Sequence, residues 1–485
     1  MPSDTSSDCN DKPLWLALDQ GGHASRALVF NQRGQQVVHA YAAISTERIG
    51  SDRVEHNADE IVASLRKVID DVAKSLGVDV RRVRAAGLAT QRSSVVCWDQ
   101  QNGNPLSPVL SWQDRRNADL VTALRPYKNE IQEQTGLVLS PHYGASKLRW
   151  CLDHLAAVQT AQQMGCLHCG PLASYLLFTL LKERPYVVDP ANASRTQLWS
   201  PASGAWCESL LQKFGIPNDL LPKPVPTQFN YGSLNFGHQT IPLRICTGDQ
   251  AAMPFANGPL HLDTLYVNLG TGAFIMAPTH RSILHAAPLL RSVLCSEGDT
   301  VMYALEGTVN GAGAALSWWA NQSGIDPWPN LNSLSRTQIT GKQVPFFINA
   351  VGGIASPYWS AESEPRFIEN SNHDDQDYLI AIIESIAFLI NANIQIMRKH
   401  LPSLNKILVG GGLSACIYLN ECLADLSGLP VMRLSERELT GRGLAYLTAA
   451  RPHDWQHISH NLSIKPTSNT ALHDREQRWR TLIED

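Results

Sequence analysis

Apolar residues along this chain come in two rhythms, and their order divides it into two similar halves. Leu14–Leu18 is a short apolar run that ends at Asp19 and meets a glycine pair, Gly21 and Gly22. A second run, Ala27–Phe30, follows at once, a pattern that predicts strand, tight turn, strand. Asn57–Leu76 switches to helical spacing, with Ile61, Leu65, Val68 and Ile69 on one face. Val83–Leu88 is predicted as a buried strand, and Val95–Trp98 with Val109–Trp112 as a hairpin around DQQNGNPL. Helical spacing returns through Leu120, Leu124 and Ile131. From Tyr186 to Tyr231 the chain is rich in Pro, Asn and Ser, which predicts surface loops and short helices without a core.

The opening pattern then repeats. Leu243–Cys246 runs into Gly248 and Asp249; Leu265–Leu269 runs into Gly270-Thr271-Gly272, and Phe274–Ala277 continues as a strand. Gly313–Trp319 and Asp375–His400 have helical spacing. Lys406–Val409 is a strand entering three glycines, Gly410 to Gly412, followed by a helix from about Ala415 to Leu426, strand Val431–Leu434 and helix Arg442–Ala450. Beyond Arg451 apolar content falls. The expectation is α/β architecture in two domains, 1–243 and 244–450, with a surface tail over 451–485.

Composition narrows the function classes. A chain of 485 residues exceeds what one core usually supports, and 44% hydrophobic with 17% charged residues is globular. A formal net charge of -4 supplies no basic field for nucleic acid. No apolar run is predicted to span a bilayer, and the polar N-terminus does not resemble a signal peptide, so a cytoplasmic protein without membrane partners is expected. The 10 cysteines are scattered, as in a reduced interior. Cys166 and Cys169, with His168 between them, form a CxxC that lacks a second ligand pair and is expected to be structural. The sequons at Asn192, Asn321 and Asn461 carry no weight in such a chain.

Four constellations carry chemistry. In Asp19-Gln20-Gly21-Gly22-His23-Ala24-Ser25-Arg26, glycines let backbone N–H groups approach a phosphate, the carboxylate can hold Mg²⁺, and Arg26 adds positive charge. Asn268-Leu269-Gly270-Thr271-Gly272 is the matching loop of the second half. Gly410-Gly411-Gly412-Leu413-Ser414-Ala415 lets a flat purine or its ribose lie against backbone. Asp249 in Thr247-Gly248-Asp249-Gln250 is a candidate general base for phosphoryl transfer. Taken singly, each is also an ordinary turn or helix cap. Together they supply two phosphate loops, a base and a nucleotide glycine run.

The stretches that hold these residues resemble the FGGY carbohydrate kinases, most closely their glycerol kinase branch. The resemblance runs from about Trp15 to Ala450 through LALDQGGHASRALVFN, VEHNADEI, GLATQRSSVVCWD, NPLSPVLSWQDRR, TGLVLSPHYGASKLRW, NASRTQLW, GDQAAMPFA, NLGTGAF, YALEGTVNGAGAALSWW, ASPYW and GGGLSACIYLNECLADLSGLPV. It implies two actin-like (ribonuclease H-like) ATPase domains around a cleft and ATP-dependent phosphorylation of a polyol or sugar hydroxyl. By position it implies Asp249 as catalytic base and Asp19 as the Mg²⁺ ligand. The nucleotide site would take Asp19, Gly21, Gly22, His23, Arg26, Gly270, Thr271, Gly272, Gly313, Ser317, Gly412 and Cys416. The polyol would meet Arg92, Ser93, Trp112, His142, Asp249, Gln250 and Phe274. A small-molecule polyol or sugar is the implied partner, and a homo-oligomer, dimer or tetramer, the implied assembly.

The chain departs from that pattern at particular positions. Ser93 stands where glycerol kinases carry Glu, and His142 where they carry Tyr, with Tyr143 beside it as a substitute. Gly22 and His23 replace a pair of threonines, Ala24 a serine, Ser317 a Gln and Cys416 an Asn. These changes define the alternative reading, a weak or inactive relative that binds a metabolite or nucleotide and acts as a regulator. A generic actin-like ATPase is a third reading, one that leaves Arg92 and Trp112 without a task. The segment SAESEPRFIENSNHDD after ASPYW has no counterpart in the pattern.

Overall fold

The computed structural model describes residues 12–50, 52–280, 286–298, 300–331, 334–339, 343–360, 363–368 and 373–484. Residues 1–11 of the polar N-terminus, and parts of the SAESEPRFIENSNHDD segment, lie outside the described residues.

Two large sheets organise the chain. The first contains β1 (Leu14–Gln20), β2 (Ala24–Asn31), β3 (Gln36–Ala43), β4 (Val83–Thr90), β5 (Gln228–Phe236) and β6 (Gln239–Gly248) in the order β3-β2-β1-β4-β6-β5. The second contains β7 (Thr264–Leu269), β8 (Ala273–Thr279), β9 (Leu290–Glu297), β10 (Thr300–Val309), β11 (Lys406–Gly410), β12 (Val431–Leu434) and β13 (His460–Ile464) in the order β9-β10-β8-β7-β11-β12-β13. The pairing senses match. Reading β3 to β5 gives antiparallel, antiparallel, parallel, parallel, antiparallel, and β10 to β13 gives the same series, with β9 added at one edge.

Helices cover both sheets. α1 (Ala58–Leu76) starts where the Asn57 side chain accepts the Glu60 N–H, and it buries Ile61, Leu65, Val68, Ile69 and Val72. α2 (Gly144–His154) lies on a smaller five-stranded sheet built on the first half. The short α3 (Asp249–Ala252) follows β6 directly. In the second half lie α4 (Gly313–Ser323), α5 (Asp375–His400), α6 (Ile417–Ser427), α7 (Leu439–Thr448) and α8 (Thr470–Glu484). α5 opens with an Asp374–Asp377 capping box. By length and hydropathy it matches a membrane span, yet 89% of its apolar window is buried inside the fold. It is the central helix of the second core, touching Ile275, Phe347 and Trp479 through one continuous cluster.

The halves share an apolar seam. Ala17, Leu28 and Ala89 of the first sheet join Tyr266 and Met276 of the second, with Leu439, Leu444 and Ala445 of α7 between them. Gly87 and Gly441 permit this: a Cβ on Gly87 would meet the Thr448 hydroxyl at 2.4 Å, and one on Gly441 would meet Leu28 at 2.8 Å.

Three expectations need correction. The 243/244 division falls inside β6, whose ten residues pair with β4 and β5 as one strand of the first sheet. Residues 451–485 are not a surface tail. β13 pairs with β12, Trp455 is buried, and α8 buries Leu472 and Trp479, whose indole donates to the Phe347 carbonyl at 2.8 Å. Low apolar content misled because two apolar residues seven apart share one helix face and suffice to dock it. Finally, the segment from Tyr186 to Tyr231 does contribute a core: Leu198, Leu210, Leu211, Phe214 and Ile216 pack with α2 residues Leu148 and Cys151.

Candidate active site

The parallel strands of the first sheet end together, and that register builds the site. Asp19 pairs with Ala89, Gln20 with Thr90, and Gly248 with Thr90. Just past three neighbouring carboxyl ends therefore come Gly21, Gln91 with Arg92, and Asp249. Ligands of α/β sheets bind at such ends. Gln91 N–H donates to the Gln20 carbonyl at 2.8 Å, which extends the register into the loop. Gly248 has to be glycine, since a Cβ there would lie 2.5 Å from Cγ of Arg92.

Charge is concentrated at these ends. Asp19 is 5% exposed and receives Arg26 Nη1 at 3.3 Å; Arg26 also faces Glu438 at 3.5 Å. Burial pushes the Asp19 carboxyl up to about 7, with Asp249 and Glu438 adding to the rise and Arg26 opposing it. Asp249 is likewise raised by burial, against the pull of Arg92, whose Nε lies 3.9 Å from Oδ1. The Gln250 N–H donates to the same oxygen at 2.7 Å. Two desolvated carboxylates, Asp249 adding to the rise of Asp19 and Glu306 to that of Asp249, form a site short of positive charge. A divalent cation beside Asp19 fits that deficit, since Mg²⁺ in phosphate sites takes one or two carboxylates and completes its shell with substrate oxygens and water. Among the described residues no group of three or more His, Cys, Asp or Glu is arranged to hold a metal by itself.

The second half answers with backbone. The Gly270-Thr271-Gly272 turn between β7 and β8 is closed by Gly270 N–H to Gly272 O at 2.9 Å. Its outer carbonyls are taken by the start of α4: Gly313 N–H reaches Gly270 O at 2.9 Å and Ala314 N–H reaches Thr271 O at 2.8 Å. A Cβ on Gly313 would meet Gly270 O at 2.8 Å, and one on Gly272 would meet Val309 O at 2.9 Å. Beyond β11, Gly411 takes φ 86° and Gly412 faces open space. This cradle of bare backbone suits a nucleotide phosphate and ribose. Asn268 links it to the base, donating to Gln250 Oε1 at 3.1 Å.

Sequence reasoning overlooked a buried network that ties the halves together. Glu306, on β10 and fully buried, accepts both Nη groups of Arg92 at 2.9 and 3.0 Å, Arg195 Nη2 at 2.5 Å and the Ser292 hydroxyl at 2.8 Å. Burial would raise this carboxyl, but Arg195 and Arg92 override it and hold it at about 2. A glutamate between Leu305 and Gly307 in an apolar strand was the available signal, because a buried carboxylate demands a cationic partner. Arg195 lay in the NASRTQLW stretch without an assigned task.

The remaining expected residues divide. Gly21, Gly22 and exposed His23 form the first turn; a Cβ on Gly22 would touch Trp112 Nε1 at 3.4 Å, so turn and indole adjoin. Ser93 adopts φ 65° beside Arg92. His142 is half-buried and held neutral: burial first, then Lys147 and Arg115, push it down to about 3. Gln250 and Phe274 are half-buried near the strand ends. Tyr143 turns its hydroxyl to Arg195, near Arg92. It is 7% exposed and packs with Leu137 and Leu290. Ser317 is exposed on α4, its hydroxyl turned back to Gly313 O at 3.2 Å. Cys416 belongs to the apolar core at 1% exposure, its thiol pushed up to about 11 by burial, so its side chain offers nothing to a nucleotide. Cys166 and Cys169 are buried and free, with Cys169 opposite Cys97 in a strand pair.

Two sheets of matching strand order, each with a glycine hairpin turn at the same place, and carboxylates at the strand ends fit a two-domain actin-like ATPase fold. The family profile "FGGY family of carbohydrate kinases, N-terminal domain" matches residues 14–256, and the corresponding C-terminal domain profile matches residues 265–451. The chain belongs to the FGGY family of carbohydrate kinases, ATP-dependent phosphotransferases that use ATP with Mg²⁺. It is 33% identical over 455 residues to a glycerol kinase of Trichlorobacter lovleyi, covering 91% of this chain and 90% of the relative. A glycerol kinase of Halothermothrix orenii is 29% identical, with 97% of each covered. Among solved structures, Plasmodium falciparum glycerol kinase with ADP superposes with TM-score 0.85 at 20% identity, covering 98% of each chain. Xylulose kinase from Rhodospirillum rubrum superposes with TM-score 0.82 at 18% identity, covering 97% of this chain and 98% of that one. At those identities the structures speak for the fold.

Proposed function

We propose that this kinase phosphorylates a hydroxyl of a small uncharged polyol, similar to glycerol in size, with Asp249 as general base. The observation that carries the reading is the pairing of Asp249 with Arg92, from adjacent strand ends, beneath a second-half cradle linked to Gln250 through Asn268. The relatives named glycerol kinase agree with it.

In this reading Asp249, raised by burial, accepts the proton of the attacking hydroxyl as its oxygen bonds to the transferred phosphoryl group. The β–γ bridging bond breaks and ADP leaves. A loose transition state asks mainly for positioning, so a base that accepts the proton late is sufficient. Asp19 would hold Mg²⁺, which supplies neutralising charge on the phosphates. Arg26, Gly270, Thr271, Gly272, Gly313 and Gly412 line the nucleotide side. Arg92, Ser93, Trp112, His142, Gln250 and Phe274 line the polyol side.

Charge balance favours an uncharged acceptor. Glu306 and Asp249 together offset Arg92 and Arg195, His142 is neutral, and Ser93 carries no charge. The test is MgATP-dependent ADP release across glycerol, erythritol, other short polyols, pentuloses and a sugar acid. Stimulation by an uncharged polyol, lost in Asp249→Asn by about 10²–10⁴-fold in kcat, supports the proposal. Stimulation by the sugar acid alone removes the polyol reading. Ligand binding without turnover by any acceptor would favour the regulatory relative.

A further inference from the structure

The polyol wall is assembled from three segments far apart in the chain: Ser93 after β4, Trp112 after the short strand Val109–Leu110, and His142 ahead of α2. Their backbones converge on one atom. Lys147 Nζ, in the first half of α2, donates to Ser93 O at 3.0 Å, Ser111 O at 2.6 Å and His142 O at 2.8 Å. An ammonium has three N–H donors, and all three are used.

The arrangement is unusual for a core lysine. The side chain is fully buried, and among the described residues no carboxylate lies within ion-pair distance of it. The nearby Asp114 carboxylate is already occupied by Arg116, at 2.6 and 2.9 Å. A buried cation is costly: burial pushes the Lys147 ammonium down to about 7, and three carbonyl acceptors hold its protons in place. One of those carbonyls belongs to Ser93, whose φ of 65° is a left-handed conformation that a serine adopts only when held. Ser94 ties the same loops a second time, its hydroxyl accepting the Trp112 N–H at 2.9 Å and donating to Gln91 Oε1 at 3.0 Å.

We infer that Lys147 is a positioning residue for the polyol subsite: its ammonium sets the mutual placement of the Ser93, Trp112 and His142 backbones and so tunes acceptor selectivity. Lys147 touches no substrate, since its donors are spent. The inference rests on reading the cleft as a polyol site.

The test is steady-state kinetics of Lys147→Met and Lys147→Arg, with exposed Lys67→Met as control. The expected result is a polyol KM raised tenfold or more, an ATP KM within twofold of the parent, and flattened preference among polyols. Arginine should not rescue, because a planar fork cannot address three carbonyls around one point. Polyol and ATP KM values that rise together, or a folded Lys147→Met with the parent's polyol KM, overturn the inference. Should methionine prevent folding, Lys147→Gln, with two donors, should show the same split in milder form. Failure of all three variants to fold assigns Lys147 to the core and also overturns it. A parent chain that answers to no polyol removes the polyol reading and this inference together, whereas a responsive parent with an unaltered variant removes the inference alone.

Discussion

The two hairpin turns that face the cleft hold the same position in matching sheets, yet they are made of different material. The first, between β1 and β2, is flanked by charge: Asp19 before it, Arg26 after it and Glu438 across from it. The second, between β7 and β8, is nearly all backbone, with Gly270 and Gly272 around one threonine and the Gly270 and Thr271 carbonyls tied to α4. A turn that relies on side chains can drift in sequence so long as its charges remain. A turn that relies on close backbone approach cannot accept even a methyl group. This explains why the first turn has exchanged its expected hydroxyls for Gly22 and His23 while the second keeps Gly-Thr-Gly.

The largest effect should come from the charged turn. Asp19→Asn should lower kcat by about 10²-fold or more, because the Mg²⁺ proposed at Asp19 would lose its carboxylate ligand. The same variant should be more stable without nucleotide at high pH. The folded carboxyl titrates at about 7, above the usual 3.8, so folding favours its neutral form. That stabilisation is fully present below pH ~4 and is lost as pH rises through about 7. Asparagine removes the loss, which is on the order of 2–4 kcal/mol. Melting temperatures of parent and variant at pH 5 and pH 8 measure it, and curves that coincide at pH 8 would refute the assignment of strain to Asp19.

Next in size is the link between the halves. Glu306→Gln leaves Arg92 and Arg195 buried without their shared anion, a change that typically costs about 3–5 kcal/mol. The sign with pH is opposite to that of Asp19. The folded carboxyl lies near 2, below the usual 4.5, so its contribution is present above pH 4.5 and is lost as pH falls towards 2. Denaturant midpoints between pH 6 and pH 3 should therefore fall less steeply in the variant. Equal slopes would mean that Glu306 holds no charge in the folded chain.

How far the sequence could be read follows from the same contrast. Residues whose neighbours in sequence explain them were legible: Asp19 beside its glycines, Asp249 after β6, the Gly-Thr-Gly turn and the amphipathic face of α1. Residues explained only by distant partners were not. Glu306 acts through Arg92 and Arg195, more than a hundred positions away, and Lys147 through three carbonyls on separate loops. Trp479 hid for a similar reason, being one of two apolar anchors in a polar helix that docks on Phe347. Cys416 was legible as a position after the glycine run that follows β11, but its direction was not, because the helix that begins there turns the thiol into the core.

The smallest effects test the backbone turn against itself. Gly313→Ala and Gly412→Ala each add one methyl group on the nucleotide side, but into different space. At Gly313 the new carbon would sit 2.8 Å from the Gly270 carbonyl, a backbone atom that cannot swing away. The turn must shift, costing about 1–3 kcal/mol, and the ATP KM should rise while the polyol KM holds. At Gly412 no atom lies within 4 Å, so stability should change by less than about 0.5 kcal/mol. Whatever Gly412→Ala does to the ATP KM then reports contact with the nucleotide alone. A stable Gly412→Ala variant with a raised ATP KM would place the purine or ribose against that glycine. An unchanged ATP KM would leave recognition to the Gly270–Gly272 turn and show that the open space beyond β11 is solvent.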